Sequence, residues 1–117
     1  MNVTERFLKY ISVDTTSDPT SCTFPTTAAQ LDFGKMLAEE LHALGLSDVS
    51  MDEYGYVFAT IPSTIENYQG VTLGFIAHID TSSAESGANI KPRIIYNYDG
   101  SDIVLNEEHN IIMKVKE

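Results

Sequence analysis

Apolar residues recur at helical spacing in two stretches near the start of the chain. The first stretch predicts a short amphipathic helix over residues 3–11. The second predicts a longer helix from Ala28 to Leu44, followed by Gly45 in the left-handed conformation that often ends helices. The apolar face of this longer helix consists of Leu31, Gly34, Leu37, Ala38, Leu41 and Leu44.

The segment between the predicted helices, residues 12–27, is rich in Ser, Thr and Pro. Such residues bond to nearby backbone and favour loops, so we predict a loop that ends with Thr26 or Thr27 as the N-cap of the longer helix. Cys22 lies in this loop and is the one cysteine of the chain. A single cysteine excludes an internal disulfide and a CxxC metal site.

After the second helix the pattern changes to that of β-strands. Val49 and Met51 alternate with polar residues, and a turn at 52–55 leads into the apolar segment 56–61, which predicts a hairpin. Residues 71–77 are almost continuously apolar, as in a strand buried on both faces in the middle of a sheet. Shorter strands are predicted at residues 93–96, 103–105 and 111–115. The predicted fold class is α/β, with a mixed sheet and flanking helices.

Length and charge narrow the possible functions. The 117 residues suffice for one domain or part of a larger one, and 7 Lys and Arg face 17 Asp and Glu, a net charge of −10. This negative charge argues against nucleic acid and anionic membranes as partners. No apolar run approaches the ~20 residues of a membrane span, and the first residues lack a secretory apolar region, so we expect a cytoplasmic protein.

The strongest candidate for chemistry follows the apolar run 71–77. His78 and Asp80 are two residues apart, so strand alternation directs their side chains to one face. A neutral imidazole is a good zinc ligand, and a carboxylate beside it can orient the ring. On spacing alone, a structural His–Asp hydrogen bond remains the commoner explanation.

The surrounding sequence, GFIAHIDTS at residues 74–82, closely resembles the metal-ligand strand of the peptidase T family, the tripeptide aminopeptidase branch of the co-catalytic zinc peptidases. Further matching segments are residues 13–15, 41–46, 56–62, 91–92 and 97–100. The resemblance implies that His78 binds one of two zinc ions and that Asp80 is the catalytic-site carboxylate that orients it. It assigns no substrate-binding residue to this chain.

The resemblance also implies what this chain lacks. From the family, the bridging Asp, the catalytic Glu, the other metal ligands and an inserted dimerisation or lid domain are expected beyond Glu117. The strand signal at 111–115, which runs to the end without a turn, also favours a cut inside a larger protein over a natural terminal edge strand. Residues 1–117 would then be an incomplete N-terminal fragment of a catalytic domain, inactive alone. The intact protein would be a homo-oligomeric, zinc-dependent enzyme that releases the N-terminal residue from tripeptides.

Two other functions are alternatives to this one. The first is a non-catalytic α/β binding or assembly module on the same scaffold. The second, phosphoryl transfer by a strand-end aspartate, is disfavoured because His78 stands where a D-x-D motif needs its first Asp. The remaining polar candidates are interpreted as surface, turn or capping residues; they are Asp14, His42, Asp99, Asp102 and residues 107–109.

Overall fold

A computed structural model describes residues 1–116, and Glu117 lies outside the described residues. The elements are two helices and four strands: α1 (Val3–Tyr10), α2 (Ala28–Ala43), β1 (Ser47–Met51), β2 (Val57–Thr60), β3 (Ile103–Asn106) and β4 (Ile111–Met113). β1 pairs with β2 and β3 with β4, each pair antiparallel. The predicted α/β composition is confirmed, but the described strands form two separate two-stranded sheets instead of one mixed sheet.

The second helix ends as its sequence predicts. Gly45 has φ +81°, and its N–H donates to the carbonyl of His42 at 2.9 Å. The N–H of Leu46 reaches back to the carbonyl of Leu41 at 3.2 Å. These two bonds form a Schellman motif, which satisfies carbonyls that the helix end leaves without a partner.

The start of α2 differs from the simple capping prediction. Thr27 occupies the N-cap position in an extended conformation, but its side chain makes no capping hydrogen bond to the helix. Its hydroxyl instead donates to the carbonyl of Thr16 at 3.3 Å. The residue therefore ties the helix to the preceding loop.

The predicted hairpin at 49–61 is confirmed, and its turn has a local cause. The carboxylate of Asp52 accepts from the N–H groups of Tyr54 at 3.0 Å and Tyr56 at 2.9 Å. Such side-chain-to-backbone bonds are typical of Asp at turns. The hairpin packs closely on α2. A Cβ placed on Gly34 of this helix would lie only 3.1 Å from the sulfur of Met51 in β1.

Hydrogen bonds to the Glu40 carboxylate and one aromatic contact hold α1 against α2. Glu40 on α2 accepts hydrogen bonds from Arg6, from Lys9 at 2.8 Å and from the Tyr10 hydroxyl at 3.0 Å. The Tyr10 ring meets Phe33 edge-on, with centroids 5.5 Å apart. Within residues 1–116, Phe33 is the one buried hydrophobic residue.

The predicted buried strand at 71–77 is wrong for this structure. The segment is irregular and its side chains are exposed; that of Phe75, for example, is 96% exposed. A strand needs a hydrogen-bonded neighbour, and each hairpin in the described chain pairs only within itself. The strand predicted at 93–96 is absent for the same reason. Residues 103–105 and 111–113 do form strands, as predicted, although Val115 lies past the end of β4.

These exposed segments leave the chain expanded. Its radius of gyration is 18.3 Å, whereas a compact chain of this length has about 13 Å. The described residues therefore do not enclose an extended hydrophobic core. None of the helices in the described part of the chain is both long and apolar enough to cross a membrane.

Acid should loosen the contact between the two helices. Hydrogen bonds from Lys9 and then from Arg6 and Tyr10 lower the pKa of Glu40 from 4.5 to about 2. A carboxyl group whose pKa falls on folding stabilises the folded state above its unfolded pKa, and this stabilisation is lost as the pH falls towards 2. We expect α1 amides to lose protection from hydrogen exchange between pH 4.5 and 2.

The Glu40→Gln variant should show weaker protection of α1 at neutral pH and a smaller loss on acidification. Glu39→Gln, which changes an exposed neighbour, is the matched control and should behave like the unchanged chain. An acid response in Glu40→Gln as large as that of the parent chain would contradict the role given to Glu40.

Candidate functional site

The two candidate site residues lie side by side. Nδ1 of His78 is 3.0 Å from Oδ1 of Asp80, so the predicted approach of carboxylate to imidazole is confirmed. A carboxylate only accepts hydrogen bonds, so Nδ1 carries the proton and donates it. The His78 side chain is 83% exposed, and Nε2 has no hydrogen-bond partner within residues 1–116. In the neutral imidazole this places the lone pair on Nε2, at a position that is accessible from solvent.

Asp80 has a second partner that the sequence did not reveal. The hydroxyl of Ser17 lies 2.6 Å from Oδ2 of Asp80 and 2.8 Å from the carbonyl of Thr81. The hydrogen bond from Ser17, followed by that from His78, lowers the pKa of Asp80 below its ordinary value. Asp80 is therefore a carboxylate at neutral pH.

A short backbone pairing brings Ser17 to Asp80. Thr16 and Thr81 form an isolated parallel bridge. The N–H of Ser17 donates to the carbonyl of Thr81 at 3.0 Å, and the N–H of Thr81 donates to the carbonyl of Thr15 at 3.2 Å. The segment predicted as a loop at 12–27 thus contains an extended stretch that pairs with the end of the site segment.

The first turn of α2 holds that extended stretch in place. Gln30 is buried, and its Nε2 donates to the carbonyl of the buried Thr15 at 3.2 Å and lies 3.2 Å from the hydroxyl of Thr26. The hydrogen bond from the Thr27 hydroxyl to the carbonyl of Thr16 holds the next residue of the stretch. Buried polar groups are costly unless they are bonded, and Gln30 and Thr15 satisfy each other.

The loop after the site closes over the same stretch. The N–H of Gly87 donates to the hydroxyl of Thr16 at 3.0 Å. Asp14 accepts from the N–H of Thr16 at 3.0 Å, which confirms its predicted structural role. A Cβ on Gly87 would lie 2.6 Å from the Thr16 hydroxyl and 2.7 Å from the Asp14 carboxylate, so any other residue here would displace those side chains.

The other polar candidates lie elsewhere, in the surroundings predicted for them. Residues 107–109 are exposed in the β3–β4 turn, and Asp99 accepts from the N–H of Ser101 at 3.0 Å. His42 is exposed in the last turn of α2. Asp102 pairs with Lys114 at 3.0 Å. Within residues 1–116, no three His, Cys, Asp or Glu side chains are grouped closely enough to hold a metal ion.

Known proteins are similar to this chain in sequence. No family model matches the chain. Peptidase T of Clostridium botulinum (strain Loch Maree / Type A3) is 60% identical over 116 residues, which is 99% of this chain and 28% of that protein. Peptidase T of Alkaliphilus oremlandii (strain OhILAs) is 54% identical over 113 residues, 96% of this chain and 28% of that protein. The chain is similar in sequence to peptidase T.

The similarity to peptidase T covers the helices, the hairpins and the site segment together, because it spans nearly every residue of this chain. The resemblance inferred from the sequence motifs is therefore confirmed. The chain spans about 28% of the length of these peptidase T relatives. The metal role of His78 and the orienting role of Asp80 stay predictions.

The close approach of Gly87 gives a direct test of how the site is held together. We expect Gly87→Ala to separate the 81–87 loop from Thr16, since a methyl group forced into packed surroundings typically costs about 1–3 kcal/mol. The amides of Ser17 and Thr81, which make the bridge, should then exchange faster with solvent water.

Gly74→Ala is the matched control, because a Cβ on Gly74 has no heavy atom within 4 Å among the described residues. It should leave the exchange of both amides unchanged. Equal exchange in the two variants would show that the loop does not depend on the contact between Gly87 and Thr16.

Proposed function

We propose that this chain is the N-terminal part of the catalytic domain of a zinc-dependent aminopeptidase that releases the N-terminal residue from tripeptides. The observation that carries the proposal is the His78–Asp80 hydrogen bond at 3.0 Å, which leaves Nε2 open to solvent. Similarity to peptidase T at 60% identity supports a peptidase reaction for the intact protein. His78 is the proposed zinc ligand.

The donor chemistry at this point suits a zinc ion. Zinc-binding histidines usually donate their other ring N–H to a carboxylate or carbonyl, which fixes the tautomer and makes the ligand nitrogen more basic. His78 and Asp80 have this arrangement, with Asp80 held ionised by Ser17 and His78. The described residues offer one such ligand, whereas a catalytic zinc ion usually has three from the protein.

Each residue then has a defined task. His78 would hold one of the two zinc ions expected in the intact site, and Asp80 keeps the imidazole proton on Nδ1. When bound, zinc polarises a carbonyl group and lowers the pKa of a water molecule. The remaining ligands, the general base and an inserted dimerisation or lid domain would come from the rest of the intact protein.

The same proposal covers partners and location. Its substrates are short peptides, above all tripeptides, and its setting is the cytoplasm. The net charge of −10 disfavours nucleic acid and anionic membrane surfaces. Assembly of the intact protein into a homo-oligomer, which the resemblance implies, belongs to the same proposal.

The catalytic proposal can be tested in a chimera in which this chain replaces the matching residues of the Clostridium botulinum peptidase T. We expect the chimera to hydrolyse a tripeptide, His78→Ala to abolish this activity, and Asp80→Ala to reduce it about 10–100-fold, as is typical when the partner of a metal-binding histidine is lost. Release of the N-terminal amino acid is the measurement.

His109→Ala is the matched control, because it removes an exposed histidine from the β3–β4 turn. Its activity should equal that of the unchanged chimera. Full activity in His78→Ala would reject the proposed ligand. A chimera that folds, binds zinc and yet hydrolyses no peptide would favour the alternative of a non-catalytic binding or assembly module.

The 117-residue chain alone should not hydrolyse tripeptides. One imidazole cannot hold a catalytic zinc ion tightly, so calorimetric titration with zinc should show no saturable binding at micromolar metal. Tight binding, or peptide hydrolysis that disappears in His78→Ala, would show that the site is more complete than this proposal allows.

A further inference from the structure

The two oxygens of Asp80 have separate partners. Oδ1 accepts from Nδ1 of His78 at 3.0 Å, and Oδ2 accepts from the hydroxyl of Ser17 at 2.6 Å. The terminal torsion of an aspartate is broad, so a carboxylate with one partner turns readily. Two partners on opposite oxygens define the plane of the group. The orientation of Oδ1 towards His78 therefore depends on what holds Oδ2.

Ser17 is itself fixed by the backbone. Its N–H donates to the carbonyl of Thr81 at 3.0 Å, and Thr81 directly follows Asp80 in the chain. That carbonyl also lies 2.8 Å from the Ser17 hydroxyl, but the single hydroxyl proton is attracted more strongly by the charged Asp80 oxygen at 2.6 Å. Gln30 holds the neighbouring carbonyl of Thr15. The hydroxyl thus reaches Asp80 from a stretch bound both to the site segment and to α2, although Ser17 and Asp80 are 63 residues apart.

The order of the three groups differs from that of a catalytic serine triad. In a catalytic serine triad the imidazole bonds to the hydroxyl and takes its proton. Here the hydroxyl bonds to the carboxylate, and the carboxylate bonds to the imidazole. The imidazole does not contact the Ser17 hydroxyl, so the contribution of Ser17 to His78 acts through Asp80.

We propose that Ser17 is the positioning residue of this site: by bonding Oδ2 of Asp80, it keeps Oδ1 directed at Nδ1 of His78 and so keeps neutral His78 in the tautomer whose Nε2 lone pair is open. Its importance for a metal rests on the proposed function. The effect of Ser17 on the His78 tautomer does not rest on that function, because the hydrogen bonds involved need no metal.

The test uses the metal-free 117-residue chain with ¹⁵N-labelled histidine, at a pH where the imidazole is neutral. Imidazole ¹⁵N chemical shifts report which nitrogen carries the proton. We expect the Nδ1–H form of His78 to predominate in the unchanged chain and to lose population to the Nε2–H form in Ser17→Ala. Ser17→Thr retains a hydroxyl and should restore the Nδ1–H form.

Ser21→Ala is the matched control, since its hydroxyl pairs with Thr23 in the same loop and not with the site. It should leave the His78 shifts unchanged. Slow amide exchange at Thr81 checks that the bridge persists in each variant. An unchanged tautomer in Ser17→Ala, or an Nε2–H form in Ser17→Thr with Thr81 still protected, would overturn the proposal.

A second measurement separates this inference from the proposed function. In the chimera, Ser17→Ala should weaken zinc binding about 10-fold, the lower end of the effect of losing an outer partner. If the tautomer depends on Ser17 but His78→Ala leaves peptide hydrolysis intact, the positioning role stands and the proposed metal role fails. If His78→Ala abolishes hydrolysis but the His78 tautomer is unchanged in Ser17→Ala, the proposed metal role stands and the positioning role fails.

Discussion

The site depends on one backbone pairing, the parallel bridge between Thr16 and Thr81. Its two hydrogen bonds place Ser17 beside Asp80 and Thr15 against Gln30 of α2. The other links between this part of the chain and the stretch tied to α2 are side-chain hydrogen bonds, from Ser17 to Asp80 and from Gly87 to Thr16. A pairing this short is weak in isolation, so its side-chain bonds on both flanks matter for its persistence.

Features set by neighbouring residues could be predicted from the sequence. The end of α2 at Gly45 and the turn at 52–55 follow from rules that involve only a few consecutive positions. The shared face of His78 and Asp80 was also predictable, because side chains two apart in extended backbone point the same way even without a paired strand. Their hydrogen bond confirms this alternation.

Features that join distant residues through short polar side chains could not be predicted. Ser17 and Gly87 contact the site from segments with no hydrophobic periodicity, and the Ser- and Thr-rich composition around Ser17 is equally typical of an unpaired loop. At the apolar run 71–77, by contrast, a buried strand was predicted that the structure does not form. Such a run indicates that a segment is suited to burial, but burial requires neighbouring strands and helices, which the described residues do not provide.

The exposure of residues 71–77 bears on the strength of the His78–Asp80 pair as well as on the fold. A hydrogen bond open to water competes with solvent, and it becomes stronger where the local dielectric constant is low. Phe75 and Ile76 lie just before His78 and are exposed. A surface that covered these neighbouring residues would lower the local dielectric constant along this part of the chain. The described chain therefore sets the direction of the pair through Ser17 and the bridge, while the strength of the pair depends on how completely the apolar run beside it is covered.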